Sequence, residues 1–332
     1  MQHAIRQIPS FDAGSIKLAT LLETVDRPWI LRGVAANWPV VQAAHQSDAA
    51  LADYLLQFYQ GATVGTFLAP PQAEGFYHYT DSETALNFSK QLLPLDAVIA
   101  RLLQQPAEGI YVGATSVDTA LPGFLAANCC ELDFPSPLIS LWLGNQSRIP
   151  IHQDLPLNIA YCLAGRRQVT LFAPDQLENL YIGPLELTPA GQPVSLVNLQ
   201  QPDRVRFPKF AKAMQQAWGA ELLPGDALFI PSMWWHHMAA TAPLNLLLNY
   251  WWRPNVDRFG SPMNALIHAM LALRHLPEHE KQAWQSAFQH YVFADPAQAA
   301  AHLQPSMQGM LAELDDASVR QLRAMLINRL NR

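Results

Sequence analysis

The residues best suited to metal chemistry concentrate in two short segments. In "IPIHQDLPLNIAYCLAGRRQVTLFAP", His152 and Asp154 stand two positions apart. On an extended chain, positions i and i+2 project to one face, so an imidazole nitrogen and a carboxylate oxygen can converge on one point. "PGDALFIPSMWWHHMAA" then supplies a Pro224-Gly225-Asp226 turn, a strand and a histidine, His236. Two imidazoles and one carboxylate on one face of a metal leave three positions open. That arrangement suits non-haem Fe(II), because a bidentate co-substrate and O2 can bind together. Zinc more often closes its site or keeps a single position for water. A lone HxD is common by chance and reads as two surface residues. HxD opening a strand hairpin, followed by PGD-strand-His, is far more specific. His237 competes with His236: adjacent on a strand, they face opposite ways, and the residues alone leave the choice open.

The elements that must position these groups are strands. "LISLWLG" (Leu138–Gly144), "LNIAYCLAG" (Leu157–Gly165), "QVTLFAP" (Gln168–Pro174), "DALFIP" (Asp226–Pro231) and "LNLLLNYWW" (Leu244–Trp252) are short, rich in β-formers and mostly bounded by Gly or Pro. Strands at that spacing predict a sandwich or barrel over residues 110–255. Residues 1–110 mix strands and helices: "PWILRGVAANWP" (Pro28–Pro39) reads as a buried strand with a turn at Gly33, and Leu93–Gln105 as a helix with Leu95, Val98 and Leu102 on one face. Residues 256–332 read as helices, the first starting at Ser261 and Pro262 and the last carrying Val319, Leu322, Leu326 and Leu330 along one face. The expected division is therefore 1–255 and 256–332.

Half of the 332 residues are apolar, enough for a sizeable core, and the 26 prolines and 16 glycines supply the turns of an all-β centre. The net charge is −6 with no Lys/Arg-rich stripe, so the electrostatic footprint of a nucleic-acid binder is missing. Cys129, Cys130 and Cys162 have neither zinc-ligand spacing nor the even count of a disulfide framework, and read as reduced thiols of a cytoplasmic protein. The opening MQHAIRQIPSFDAG does not read as a signal peptide. No apolar run reaches the roughly 18–20 residues that span a bilayer.

Taken together, "PWILRGVAANWP", "IPIHQDLPLNIAYCLAGRRQVTLFAPDQLENLY", "PDRVRFPKF" and "PGDALFIPSMWWHHM" resemble the JmjC/cupin-8 family of Fe(II)- and 2-oxoglutarate-dependent oxygenases. The segments look most like those of the branch that includes the asparaginyl hydroxylase acting on hypoxia-inducible factor. The resemblance covers about residues 25–255. It implies a mainly β double-stranded β-helix (jelly-roll) core with N-terminal α/β decoration and a C-terminal helical extension that pairs two subunits. It implies iron held by His152, Asp154 and His236 rather than His237, with 2-oxoglutarate as co-substrate alongside O2, and hydroxylation with release of succinate and CO2. Asn158 matches an asparagine near co-substrate and metal, and Asn249 a second polar residue of the pocket. Trp251 matches a nearby aromatic. Tyr111 matches a tyrosine that reaches the far carboxylate of 2-oxoglutarate. Arg167 falls where the family usually has the lysine that binds this carboxylate; it keeps the charge and adds a bidentate fork. Ile149, three before His152, departs from a threonine that hydrogen-bonds the co-substrate in a relative. The substrate expected is a protein side chain or a small molecule. The alternatives are an inactive metal-binding cupin scaffold and a zinc cupin.

Overall fold

A computed structural model describes residues 5–23, 25–130, 134–189, 191–253 and 259–331. The chain forms two compact units, Met1–Arg253 and Pro254–Arg332. The boundary expected at 255 falls within 254–258, outside the described residues.

The first unit is built on two sheets. The five-stranded sheet runs β1 (Arg6–Gln7), β11 (Trp218–Leu222), β10 (Arg167–Phe172), β13 (Trp235–Ala240) and β8 (Ser147–Gln153). The nine-stranded sheet runs β2 (Ser10–Asp12), β3 (Trp29–Arg32), β12 (Ala227–Ile230), β9 (Leu157–Ala164), β14 (Asn245–Trp252), β7 (Leu138–Gly144), β6 (Gly109–Ser116), β4 (Thr63–Ala69) and β5 (Ser89–Pro94). This is the jelly-roll core, with its strands laced by non-consecutive neighbours.

Three apolar layers hold it. Ile30, Cys162, Leu228 and Ile230 of the larger sheet meet Val169, Leu171 and Met238 of the smaller one, so this cluster is the space between the sheets. The outer face of the larger sheet, with Leu31, Tyr161 and Phe229, is covered by Val40, Val41, Leu51, Leu55, Val98, Ile99 and Leu102 from the helices Pro39–Gln46, Asp48–Leu56 and Leu95–Leu103. The outer face of the smaller sheet, with Ile151, Phe172 and Trp235, is covered by Leu180, Val197, Phe207 and Phe210. β9 is therefore buried along both faces, which is why its sequence is apolar apart from Asn158 rather than alternating.

The PGD turn is a structural device. Gly225 has φ +97°, and a Cβ there would lie 3.0 Å from the Ala36 backbone, so glycine is required. Asp226 accepts the Gly33 N–H and the Leu223 N–H, each at 3.0 Å, and pairs with Arg32 Nη1 at 2.6 Å. It ties β12 to the turn after β3. Asp226→Ala is expected to cost about 3 kcal/mol, because two backbone donors and an arginine lose a nearly buried acceptor at once. Chemical denaturation measures it, and a loss below about 1 kcal/mol would contradict this role.

In the second unit, helices span Pro262–Leu273, Glu278–Phe288 and Asp316–Leu330. Ser261 caps the first through the Met263 N–H, and Asp315 caps the last through the Ser318 N–H. The first two bury no residue, and the last buries only Val319.

Candidate metal centre and co-substrate pocket

β8 and β13 bring two of the expected ligands side by side. His152 is the cross-strand partner of His236, and their ring centroids are 4.2 Å apart. The register between these strands slips: two residues of β13, His236 to Met238, span three of β8, His152 to Ile149. This β-bulge turns both His152 and Ile149 to the space between the sheets, although they are three apart. Asp154 sits one residue beyond the end of β8 rather than on it. The Met233 N–H donates to its backbone carbonyl, anchoring that exit from the strand. One donor atom from each of His152, Asp154 and His236 lies within 4.8 Å of the others. The Asp154 Oδ2 to His236 Nε2 distance is 3.6 Å.

Each imidazole is oriented by the chain two residues back. Nδ1 of His152 bonds the Pro150 carbonyl at 2.8 Å, and Nδ1 of His236 bonds the Trp234 carbonyl at 3.0 Å. A carbonyl only accepts, so Nδ1 carries the proton and Nε2 keeps its lone pair for a metal. Burial, followed by the neighbouring His152, lowers the His236 pKa, keeping that ring neutral as a ligand must be. Two imidazoles that turn Nε2 away from their carbonyl partners and one carboxylate thus fit a divalent ion.

His237 pairs with Thr170 on the opposite face of β13 and is outside the triad. Burial pushes its imidazole down to about 4, aided by His152, Arg148 and His236. In the unfolded chain it takes up a proton near 6.5. Between those values the unfolded state binds more protons, so its contribution is complete above 6.5 and is lost as pH falls towards 4. The metal-free protein is expected to lose up to ~3 kcal/mol over this window through His237. Thermal melts of His237→Gln should show a shallower pH slope; an unchanged slope would contradict it.

Arg167 opens β10 and shares its inner face with Val169 and Leu171, two of the residues packed between the sheets. Leu171 pairs with His236, so Arg167 lies four residues deeper, about 13 Å at the usual strand rise. An arginine side chain and an extended five-carbon dicarboxylate can share that separation. Arg167 is 2% exposed, makes no ion pair among the described residues, and its Nε has no hydrogen-bond partner. Burial lowers its pKa, with Cys162 and Tyr111 nearby. A guanidinium remains charged even so, and a buried charge without a counter-ion is costly. An anionic ligand would supply what is missing.

Tyr111, on β6, is buried beside that guanidinium. Burial raises its pKa, Arg167 opposes the shift and Asp154 adds to it, so the hydroxyl lies within the electrostatic reach of both ends of the pocket. Asn158 and Asn249 are buried and joined, Asn249 Nδ2 donating to Asn158 Oδ1 at 3.3 Å. Trp251 is the cross-strand partner of Asn158. Ile149 packs among the apolar residues between the sheets, so the threonine contact of the relative has no counterpart at this position.

Sequence reasoning gave Trp142 and Tyr77 no role and read Cys162 only as a reduced thiol. Trp142 donates to Asn249 and packs against Tyr111 and Trp251. Tyr77 packs on Tyr111, and Cys162 lies beside Arg167. Aromatic residues in an apolar strand read simply as core, and only strand pairing reveals which of them border the polar groups.

Residues 20–258 match the family described as "Cupin-like domain". Lysine-specific demethylase 8 of Xenopus tropicalis is 26% identical over 235 residues, covering 68% of this chain and 48% of the relative. The Danio rerio protein of the same name is 28% identical over 240 residues, covering 68% of this chain and 53% of the relative. HSPB1-associated protein 1 of Homo sapiens is 29% identical over 150 residues, covering 44% and 30%. The chain thus spans about half the length of the demethylase 8 relatives and less of the other. The family match takes in every strand from β3 to β14 and every residue of the pocket described above, and this chain belongs to the cupin-like JmjC family.

Proposed function

We propose that this protein is an Fe(II)- and 2-oxoglutarate-dependent oxygenase that hydroxylates a protein side chain or a small molecule, releasing succinate and CO2. The observation that carries this reading is Arg167, a buried guanidinium without a counter-ion among the described residues, facing the same interior as an open two-histidine, one-carboxylate site. When bound, Fe(II) with 2-oxoglutarate and O2 supplies the oxidising chemistry. His152 and His236 offer Nε2 lone pairs, and Asp154 supplies the anionic ligand. Arg167 and Tyr111 hold the far carboxylate of the co-substrate. Asn158 and Asn249 line the polar side, while Trp142, Trp251 and Tyr77 exclude water. The relatives named as demethylases make N-methyl groups on protein a further substrate class for the same site. The net charge of −6 favours protein or small-molecule partners over nucleic acid, and three cysteines without the even count of a disulfide framework fit a reducing, cytoplasmic setting. The test is succinate release from 2-oxoglutarate by the iron-loaded protein under air, followed by a search for an oxygen-atom mass gain in candidate substrates. Fe(II) binding without 2-oxoglutarate binding or turnover would favour the inactive scaffold instead.

We also propose a homodimer formed through the second unit. Leu266, Ile267 and Leu271 on one helix and Leu326, Ile327 and Leu330 on another are exposed, and burying such surface against a second copy is the usual remedy. Sedimentation at micromolar concentration should give a dimer that Leu326→Glu or Leu266→Glu dissociates. A monomer for the unmutated protein would end the proposal.

A further inference from the structure

We infer that Trp142 is a positioning residue: through Asn249 it fixes the orientation of Asn158, so that Asn158 keeps an N–H free for an oxygen of the ligand bound at the metal end of the pocket. The inference rests on the oxygenase reading above and deepens it.

The argument begins with the indole. A tryptophan Nε1–H donates and never accepts. Trp142 Nε1 lies 2.7 Å from Asn249 Oδ1, so it commits that oxygen as an acceptor and fixes which way the Asn249 amide points. Asn249 Nδ2 then faces Asn158 Oδ1 at 3.3 Å. With its oxygen engaged, Asn158 has only its Nδ2 donor left, and that donor has no acceptor among the described residues. Amide orientation is set by such networks, and here a donor-only group at one end sets the direction of the whole chain. Removing the Trp142 donor frees both amides to turn, and an inward Asn158 oxygen would repel a carboxylate or keto oxygen.

Placement supports this. Asn158 lies on β9 on the same face as Ala160 and Cys162, and Cys162 is packed between the sheets near Arg167. Its cross-strand partner Trp251 has a buried Nε1 that also lacks an acceptor. Two neighbouring donors without acceptors make a lining suited to an oxygen-rich ligand. Both asparagines are buried, Asn158 at 5% exposure and Asn249 at 2%, so water does not readily scramble the network.

The test is a double-mutant cycle on anaerobic 2-oxoglutarate binding to the Fe(II)-loaded protein, with iron content and melting temperature recorded for every variant. Trp142→Phe keeps the ring and loses the donor. It should weaken 2-oxoglutarate binding about fivefold in the unmutated background and have no further effect in an Asn158→Ala background, with iron retained in both. Asn249→Asp is near-isosteric but offers only acceptors. It draws the Asn158 N–H back to itself and should weaken binding at least as much. Equal losses in both backgrounds would show that Trp142 acts by packing alone, and no loss in either would show that the relay does not matter; each overturns the inference. If the unmutated protein fails to bind 2-oxoglutarate at all, the oxygenase reading falls first and this inference with it, a result distinct from the other two.

Discussion

Asp154→Ala is expected to release the iron and to end 2-oxoglutarate turnover. Asp154 is the single anionic donor of the triad, and His152 and His236, each with its Nδ1–H held by a backbone carbonyl, have only Nε2 lone pairs to offer. Without the carboxylate, a divalent ion would face two neutral ligands in a pocket that also contains the Arg167 charge. Loss of an outer-sphere partner costs about 10–100-fold in metal affinity, and loss of this ligand should exceed that range. The fold should survive, because Asp154 stands beyond the end of β8 and its backbone carbonyl, which accepts from Met233, remains. His236→Ala should behave likewise, whereas His237→Ala should retain iron. Iron content of folded variants, with succinate release, reads all three. Iron loss from His237→Ala but not from His236→Ala would reverse the ligand assignment.

The second large effect is expected at Arg167, and it has two signs. Arg167→Ala removes a buried cation suited to the far carboxylate of 2-oxoglutarate. Truncating one partner of a buried charge pair costs about 2–5 kcal/mol, on the order of 100-fold in co-substrate affinity. Iron binding should be unaffected, because Arg167 lies four strand residues from the level of His236. Arg167→Lys should recover part of the affinity, restoring charge without the fork. The ligand-free protein should respond in the opposite direction. Its Arg167 is buried without a counter-ion among the described residues, so Arg167→Met should raise the melting temperature while abolishing co-substrate binding. Unchanged 2-oxoglutarate binding by Arg167→Ala would show that another group holds the carboxylate.

The sequence was most informative where local rules and the fold agree. β7 occupies Leu138–Gly144 as its apolar run predicts, and Ser261 caps a helix beginning at Pro262. The helix expected at Leu93–Gln105 occupies Leu95–Leu103, with the expected Leu95, Val98 and Leu102 buried. Other strands were not legible. β8, "SRIPIHQ", carries a proline and a bulge, so it lacks a clean alternation even though it bears His152. β4 and β6 contain Gly65, Gly109 and Gly113, which weaken any strand pattern. A Cβ at Gly113 would lie 2.9 Å from Phe67, which gives that glycine a packing reason no local rule supplies. In the candidate site, His152 and Asp154 could be read from spacing, but the placement of Arg167, Tyr111 and Asn249 depends on strands distant in sequence. The hydrogen bond from Trp142 to Asn249 spans 107 positions, and no periodicity within either strand points to it.

The most direct measurement is anaerobic absorption of the metal-free protein titrated with Fe(II) and then with 2-oxoglutarate. The account predicts a weak visible charge-transfer band that appears only when both are present, that is absent from Asp154→Ala, and that needs far more 2-oxoglutarate in Arg167→Ala. A folded, iron-bound protein that gives no such band at saturating 2-oxoglutarate would contradict it.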